Sequence, residues 1–492
     1  MNQRSSKYRK SSKKQNSGFS LLNLTLLTIF TIVSALLVFF LFAYNIAGFW
    51  HLNLIFAIAL AVNFLLTLIC IVTKKAKKTT TVLLVIFTLV SALGLVGVRS
   101  AVDLANRVNG TAMFSEVKMS VMVPVSSSVQ DISEVSSVLA PTTLDQESID
   151  QLISQLSTTK GLTLSLESTD SYLTAYESLM AGQGQAMVLS SSYESLLEDV
   201  HSDYASNLRE IYSYTITTTK QSTTEDAKQE DGDVLNIYIS GIDTYGSIST
   251  TSRSDVNIIL TVNRKTKKIL MTTTPRDSYV PIAGGGNNQY DKLTHAGIYG
   301  VDSSIQTLEN LYGIDINYYV KVNFTSFINL IDQLGGVEVY NDQAFTAHTN
   351  KDYTFEVGNV TLDSAGALAF VRERYSLANG DADRANNQMK VIKAIIDKMT
   401  SFNSISSFTT IINHLGSSVQ TDMSLETMMN LANDQIESGG NYVITSQAIT
   451  GTGSTGQLTS YAMPSASLYM LSIDENSLNT AKAAIQAVED GN

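Results

Sequence analysis

The chain has 492 residues and a formal net charge of −12, and this length is typical of two or three domains. The first 99 residues contain 11 lysines and arginines and no acidic side chain, which leaves the rest strongly acidic, with 22 basic and 45 acidic residues. So acidic a region argues against nucleic-acid binding through phosphate contacts. A single cysteine, Cys70, excludes intrachain disulfides and a cysteine-based zinc site.

Three apolar stretches follow one another near the N-terminus, at about residues 19–44, 52–73 and 80–98. Each approaches the roughly 20 residues with which a helix spans a bilayer. A cleaved signal peptide is the alternative for one such stretch, but the first is too long for one and two more follow. The sequence therefore predicts three transmembrane helices over residues 19–100.

Most of the basic residues that flank these stretches lie on one side of the membrane, and they outweigh Arg99 and Arg107 on the other side. Six lie in the tail at residues 1–18, and four lysines lie at residues 74–78, so both segments are predicted to be cytoplasmic. We interpret the tail as a topology signal that attracts anionic lipid; a DNA- or partner-binding arm is the alternative. Everything after about residue 100 is then outside the cell. A large external region without disulfides is typical of exported Gram-positive proteins, which predicts a three-pass protein of a Gram-positive plasma membrane.

Residues 101–217 are rich in Ser, Thr, Val and Leu and form a predicted small α/β accessory domain. A strand pattern at 117–125 is followed by helical patterns at 145–156 and 171–180. Residues 218–233 are polar and charged without apolar periodicity, which predicts a linker.

Residues 234–492 form the predicted main domain. Apolar strand patterns lie at 234–240, 256–262 and 268–274, and helical patterns lie at 303–311, 324–334, 385–399 and 477–488. Alternation of this kind predicts an α/β class fold, an α/β/α sandwich. The GTGSTG segment at residues 451–456 matches a nucleotide-binding pattern, but no helix pattern follows, so a flexible loop is expected.

Two aspartates lie at predicted strand ends. Asp243 follows the first strand in ISGID, and Asp255 opens the second in RSDVNII. Carboxylates at one edge of a sheet suit Mg²⁺, which takes one or two carboxylates together with phosphate oxygens. Taken alone, each aspartate is also compatible with an ordinary turn residue.

Arginines are scarce in this chain, yet several occur near the aspartates. Arg372 and Arg374 stand two apart in ALAFVRERYS, where an extended chain would direct both to one face. Arg384 and Gln388 stand four apart on a predicted helix and share a face. Guanidinium groups that converge beside Mg²⁺ would bind a diphosphate; solvated surface pairs with Glu373 and Asp383 are the alternative.

Seven motifs in order give these residues a family resemblance: ISGIDTYG, SRSDVNIILTVN, PRDSYV, KLTHAGIYG, LIDQLGGVEV, FVRERYS and DADRANNQ. Together they resemble the LytR–CpsA–Psr family of phosphotransferases. The three-span N-terminus and the accessory domain resemble its capsule-type, CpsA-like branch from streptococci.

The resemblance implies an enzyme that transfers a glycan, here capsular or related anionic polysaccharide, from a polyprenyl-diphosphate carrier to peptidoglycan. It implies a Mg²⁺ site, with Mn²⁺ as a substitute, on Asp243 and Asp255. By motif match, Arg276 and Asp255 are the catalytic residues. The implied diphosphate-binding residues are Arg253, Arg276, Arg372, Arg374, Arg384 and Gln388. Its implied partners are the lipid-linked glycan, peptidoglycan, the membrane and the capsule assembly machinery.

Two other functions are compatible with the same sequence. A membrane regulator would control capsule synthesis or transcription through the basic cytoplasmic tail. A noncatalytic anchor would bind the lipid-linked glycan without turnover and without Mg²⁺.

Overall fold

A computed structural model describes residues 4–112, 114–219, 232–401 and 419–492. Its described residues fall into two compact units. One contains the chain up to Asn106 together with residues 423–440, and the other contains most of the remaining residues. The predicted linker at 218–233 falls largely on residues 220–231, which lie outside the described residues, as do residues 1–3 of the predicted tail. The predicted domain boundaries stay predictions.

The α-helices of the described residues are numbered here in chain order. They are α1 Arg4–Ala43, α2 Leu52–Thr73, α3 Lys77–Ala112, α4 Thr142–Lys160, α5 Tyr172–Met180, α6 Glu194–Val200, α7 Tyr204–Asn207, α8 Val301–Tyr312, α9 Phe324–Leu334, α10 Ser364–Arg372, α11 Asp381–Thr400, α12 Leu425–Ser438 and α13 Glu475–Glu489.

The β-strands are numbered in the same way. They are β1 Phe114–Pro124, β2 Ser137–Ala140, β3 Ser165–Ser168, β4 Met187–Ser190, β5 Leu208–Thr219, β6 Val234–Ile242, β7 Ser254–Asn263, β8 Lys268–Thr273, β9 Tyr279–Ile282, β10 Gln289–Lys292, β11 Tyr318–Val322, β12 Val337–Asn341, β13 Phe345–Thr346, β14 Thr354–Phe355, β15 Gly358–Leu362, β16 Gln420–Thr421, β17 Val443–Ala448, β18 Gly451–Thr455 and β19 Tyr469–Ile473.

The first unit contains three helical segments long and apolar enough to cross a membrane: Leu21–Ala43, Phe49–Thr73 and Lys77–Asp103. They match the three predicted spans. Most of their large apolar side chains are exposed, as expected of surfaces that face lipid. Between α1 and α3 the buried hydroxyls of Ser34 and Ser91 share a hydrogen bond of 3.1 Å, a polar contact typical of packed membrane helices.

Helix α12 belongs to the same unit and contacts the turn between the first two apolar helices. The side chain of Asn433 donates to the Asn45 carbonyl at 2.7 Å, and the Asn45 side chain donates to Asn430 at the same distance. Met429 is buried in a small apolar cluster with Ala105. This unit therefore joins a segment from far along the chain to the membrane helices.

The accessory region forms a five-stranded mixed sheet in the order β3-β2-β4-β1-β5. β1 pairs antiparallel with both β4 and β5, while β2 pairs parallel with β3 and β4. The helices predicted at 145–156 and 171–180 are present as α4 and α5. Apolar residues spaced along α4, including Ile149, Leu152 and Leu156, are fully buried in the core beneath this sheet.

The main region is built on a six-stranded mixed sheet in the order β16-β11-β6-β7-β8-β17. β6, β7 and β8 form antiparallel pairs, and β11 and β17 add in parallel on either side. β6 and β7 are almost continuously buried, which explains their apolar sequences on both faces. Mixed sheets with packed helices confirm the predicted α/β class.

The GTGSTG segment is a strand and not the expected flexible loop. β18 pairs antiparallel with β19. A Cβ atom at Gly451 would lie 2.2 Å from the Ser472 carbonyl oxygen, and one at Gly453 would lie 2.1 Å from the Tyr469 hydroxyl. These glycines permit close approach of the neighbouring strand, and the element that follows β18 in the described chain is β19, not the helix that a dinucleotide-binding motif requires.

Candidate functional site

The two predicted carboxylates lie at the same end of the six-stranded sheet. Asp243 directly follows β6, and Asp255 is the second residue of β7. The end of β6 pairs with the start of β7, with a register shift after Gly241. Such an irregularity redirects side chains at a strand end, and the antiparallel pairing brings the two aspartates together.

Arg276 follows β8 and contacts Asp255 directly. Its Nη1 donates to Asp255 Oδ2 at 2.5 Å, and Thr294 Oγ1 donates to Asp255 Oδ1 at 2.9 Å. Side-chain exposure is only 11% for Arg276 and 17% for Asp255. Both carboxylate oxygens of Asp255 thus accept hydrogen bonds in a mostly buried setting, where charge-assisted bonds are strong.

The charges around Asp255 decide its ionisation. Burial alone would raise the pKa of Asp255. The charges of Arg276, Arg253 and Arg384 outweigh this effect and lower the pKa to about 2. Burial lowers the pKa of the Arg276 guanidinium, while Asp255 and Asp277 raise it well above its usual range. At neutral pH both groups are therefore fully charged, and Asp255 is a weak proton acceptor.

Asp243 has a different environment, although it lies near Asp255. Burial raises the pKa of Asp243 and the charge of Asp255 raises it further, while Arg253 and Arg372 partly offset both effects. Arg253 Nη2 lies 3.9 Å from Asp243 Oδ2. Its Nη1 bonds instead to Asp199, a residue of α6 in the accessory region.

The turn that carries Thr294 is fixed by a buried network. Asp291 Oδ1 lies at hydrogen-bond distance, 2.8 Å, from His295 Nδ1, and Asp291 also accepts from Ser460 Oγ at 2.7 Å and from the Ala462 N–H at 2.8 Å. All lie in the interior. His295 is thereby a structural residue that holds Thr294 against Asp255.

The predicted extended segment at Arg372 and Arg374 is wrong, because α10 ends at Arg372. Asp363 caps the start of this helix by accepting the Gly366 N–H at 2.6 Å, and its apolar face buries Phe370. The chain leaves the helix at Glu373, whose buried carboxylate accepts the backbone N–H groups of His348 and Ser376.

The two arginines consequently have different surroundings. The Arg372 guanidinium lies over the Phe324 ring, 4.3 Å from its centroid, a favourable cation–π arrangement. Arg374 is half exposed, with Nε 3.7 Å from Asp381 Oδ1. Glu373 and Asp383, the surface partners considered above, pair with neither: Asp383 accepts from Gln343 and Asn379.

Arg384 and Gln388 share a face of α11, as predicted. Arg384 Nη2 forms an ion pair with Asp381 Oδ1 at 2.7 Å, and its side chain has little exposure. Gln388 Nε2 donates to the Val371 carbonyl at 3.3 Å, a carbonyl in the last turn of α10. Asp381 thus gathers Arg374 and Arg384, while Gln388 links α11 to the helix that carries Arg372.

We call Asp243, Arg253, Asp255 and Arg276 the strand-end group, and Arg372, Arg374, Arg384 and Gln388 the helix-end group. Charges of the two groups act on each other. Arg384 lowers the pKa of Asp255, and Arg372 lowers that of Asp243. The fold therefore gathers the predicted charged residues around one locus; their functional roles stay predictions.

Sequence reasoning missed three partners in this site: Asp199, Thr294 and Asp381. Asp381 stands three residues before Arg384 in DADRANNQ, so helical spacing would have indicated the pair. Thr294 lies in the KLTHAGIYG motif, but nothing local points to Asp255. Asp199 lies 54 residues before Arg253 and carries no sequence signal for this contact.

The donor set agrees with a divalent cation that also contacts a phosphate ligand. Within the described ranges no three His, Cys, Asp or Glu side chains cluster as a complete metal site. Two neighbouring carboxylates, one with its pKa raised by the other, are nevertheless what Mg²⁺ requires when substrate phosphates and water complete its shell. Asp243 and Asp255 would hold it.

The fold and site define an α/β protein with three helices able to span a membrane and a group of arginines around two carboxylates. The LytR_cpsA_psr family model matches residues 203–479, more than half of the chain. The chain belongs to the LytR–CpsA–Psr family, which confirms the resemblance. A model described as DNA polymerase processivity factor matches residues 74–189, under a quarter of the chain, and does not show a family.

Curated relatives agree with this assignment. A protein from Oceanobacillus iheyensis named polyisoprenyl-teichoic acid–peptidoglycan teichoic acid transferase TagU is 37% identical over 230 residues, 45% of this chain and 69% of the relative. TagT of Bacillus subtilis, named as the same kind of transferase, is 33% identical over 263 residues, 52% of this chain and 76% of the relative.

Solved structures are also similar to part of the chain. A structure of B. subtilis TagV shares 28% identity with a TM-score of 0.45, covering 51% of this chain and 96% of that one. A structure titled "TagT bound to LI-WTA" shares 30% identity with a TM-score of 0.43, covering 53% and 93%.

Proposed function

We propose that this protein transfers an anionic glycan from a polyprenyl-diphosphate carrier to peptidoglycan at the outer face of the membrane. The convergence of the strand-end and helix-end groups carries the proposal. Five arginines around two carboxylates leave an excess of positive charge, which attracts a negatively charged diphosphate. A site of carboxylates alone would repel it. The teichoic acid transferases named above support the class of reaction.

The strand-end group would hold the phosphates in place. Arg276 is kept charged and oriented by Asp255, and it would donate its remaining N–H groups to diphosphate oxygens. Mg²⁺ on Asp243 and Asp255 would supply further neutralisation of phosphate charge. Phosphoryl transfer depends mainly on positioning and on neutralising such charge, so these residues would stabilise the transition state.

The helix-end group would complete the shell of donors. Arg372, Arg374 and Arg384 have guanidinium groups that match phosphate oxygens bidentately. In the reaction a peptidoglycan sugar hydroxyl attacks the phosphorus next to the glycan. The bond between that phosphorus and the bridging oxygen breaks, polyprenyl phosphate leaves with the bridging oxygen, and the hydroxyl proton passes to solvent. These arginines would stabilise the negative charge that develops on the leaving phosphate.

We further propose a capsular polysaccharide as the glycan. The support is the three-span N-terminus together with the accessory region, which resemble the capsule-type branch of the family. A teichoic acid is the alternative cargo, because the relatives named above act on teichoic acids. The anchor of three apolar helices would keep the site beside a donor that is itself confined to the membrane.

The experiment uses the full chain in detergent micelles with a labelled polyprenyl-diphosphate oligosaccharide, Mg²⁺ and peptidoglycan fragments. We expect label in the peptidoglycan fraction, lost with EDTA, restored by Mg²⁺ or Mn²⁺, and absent for Asp255→Ala. Parallel reactions with capsular and teichoic donors distinguish the cargo. Tight donor binding without transfer to any acceptor would contradict the proposal and favour a glycan-binding anchor.

A further inference from the structure

The segment between β6 and β7 is held by the accessory region. This segment carries Arg253 and is bonded to Glu116 of β1: the Glu116 N–H donates to the Ser249 carbonyl at 3.1 Å, and the Thr251 N–H donates to the Glu116 carbonyl at 3.3 Å. Two such bonds make a short strand-like bridge. The accessory sheet therefore constrains the backbone just before Arg253.

The accessory region also supplies a side chain to Arg253. Asp199 Oδ2 accepts from Arg253 Nη1, while the Arg253 side chain is only 6% exposed. The buried Nε of Arg253 has no hydrogen-bond partner among the described residues, and its Nη2 lies 3.9 Å from Asp243. The orientation of this guanidinium thus depends on Asp199 more than on any other polar contact.

A shared core makes this arrangement rigid. Met119 and Leu189 of the accessory sheet lie in one buried cluster with Ile298, Met463 and Met470 of the main region. Close-packed interiors resist displacement of whole elements. Helix α6, whose residues Leu196 and Leu197 are buried in the same cluster, therefore presents Asp199 to the site at a fixed position.

We propose that Asp199 is a positioning residue for Arg253, so that the accessory region forms part of the diphosphate site. This inference rests on the proposed function. With Asp199 in place, Arg253 keeps Nη2 and its unused N–H groups available to a phosphate. Without it, the nearest carboxylate is Asp243, and Arg253 would turn toward that residue and cover a predicted metal ligand.

The test compares Asp199→Asn with Glu198→Gln in the full chain in detergent micelles. Both changes remove one negative charge from an exposed position of α6, but Glu198 has no ion pair in the part of the chain that the structure describes. Binding of geranyl diphosphate in the presence of Mg²⁺ is measured by calorimetry. The KM and kcat for transfer are measured with the labelled polyprenyl-diphosphate oligosaccharide. Thermal unfolding of each variant checks that the fold is intact.

We expect Asp199→Asn to weaken geranyl diphosphate binding and raise the donor KM by about tenfold with a smaller change in kcat. Glu198→Gln should match the wild type. The direction of the change in diphosphate affinity decides the test, because loss of a negative charge by itself would strengthen binding of an anion. Unchanged or tighter binding by Asp199→Asn would overturn the proposal.

Amide hydrogen exchange separates this inference from the proposed function. Asp199→Asn should exchange faster at residues 247–253 than the wild type and Glu198→Gln, because Arg253 no longer anchors this segment. If the wild type binds no diphosphate, faster exchange still supports the positioning role while the proposed function fails. Unchanged exchange at these residues would contradict the positioning role.

Discussion

Two arginines of the strand-end group differ from Arg374 of the helix-end group in how firmly the fold holds their side chains. Arg253 and Arg276 have side chains 6% and 11% exposed and bond to carboxylates from other elements. Arg374 is 47% exposed and its closest carboxylate contact is 3.7 Å. Buried paired arginines are already oriented before a ligand arrives, whereas exposed ones must be ordered by it.

This difference suggests a division of labour at the site. Charges fixed on the sheet would stabilise the reacting phosphates without reorganisation, which is where electrostatic catalysis is strongest. An exposed arginine such as Arg374 can adapt to donors of different shape. The following experiments test whether function divides along this line.

The largest effect is expected at Arg276. Arg276→Ala should lower transfer at least about a hundredfold and lower the free energy of unfolding by about 3–5 kcal/mol, because Asp255 is left buried without its main partner. Labelled transfer and denaturant unfolding measure the two effects. Arg276→Lys keeps the charge and should retain more stability, but its activity should stay low since the planar fork is lost. Near-normal transfer by Arg276→Lys would contradict a need for oriented N–H donors.

Arg384→Ala should have an intermediate effect. Arg384 is little exposed and bonds to Asp381 at 2.7 Å, so we expect the donor KM to rise about tenfold through loss of one charge-assisted contact. Gln388→Leu removes the neighbouring contact to α10 without changing charge and serves as a comparison. If Arg384→Ala lowered kcat as much as Arg276→Ala does, the strand-end and helix-end groups would act as one unit.

Arg374→Ala should change little. Exposed ion pairs contribute about 0–1 kcal/mol. We therefore expect the donor KM to rise by at most about threefold and the melting temperature to stay unchanged. Initial rates over a range of donor concentrations provide the measurement. An effect at Arg374 that exceeds the effect at Arg384 would reverse the expected order within the helix-end group.

Asp243 is the exception within the strand-end group, because its replacement should stabilise the fold slightly instead of weakening it. Because its pKa is raised in the folded protein, its ionised form disfavours folding at neutral pH. Asp243→Asn should therefore stabilise the protein at pH 7 by less than about 1 kcal/mol while lowering transfer. The gain should shrink as the pH falls through the raised pKa and vanish below about 3.8, the ordinary value.

Thermal unfolding of Asp243→Asn and wild type from pH 3 to 8 measures this dependence. Added Mg²⁺ should raise the melting temperature of the wild type more than that of the variant, because a bound cation relieves the repulsion between Asp243 and Asp255. If Mg²⁺ raised the melting temperatures of both proteins equally, Asp243 would not be a ligand of the metal.

The sequence predicted the strand-end group better than the helix-end group, for physical reasons. β6 and β7 carry continuous apolar runs, so their ends, and with them Asp243 and Asp255, follow from local pattern. The helix that ends at Arg372 has only nine residues, too few for a clear helical period. Its helical state depends on the Asp363 cap and on burial of Phe370, and the helix ends where Glu373 binds distant backbone N–H groups. Asp199 needed the tertiary fold, because no local period relates it to Arg253.

The bonds between α13 and the first strands of the main sheet have a consequence for the order of folding. Asn236 of β6 donates to Glu489 at 2.8 Å, and Asn263 at the end of β7 donates to the Val488 carbonyl at 2.9 Å, across 253 and 225 residues of chain. Contacts so distant along the chain form late and slowly. Asn236 and Asn263 lie at the end of the β6–β7 pair opposite Asp243 and Asp255, so the buried polar groups at that end are satisfied only after α13 has been synthesised.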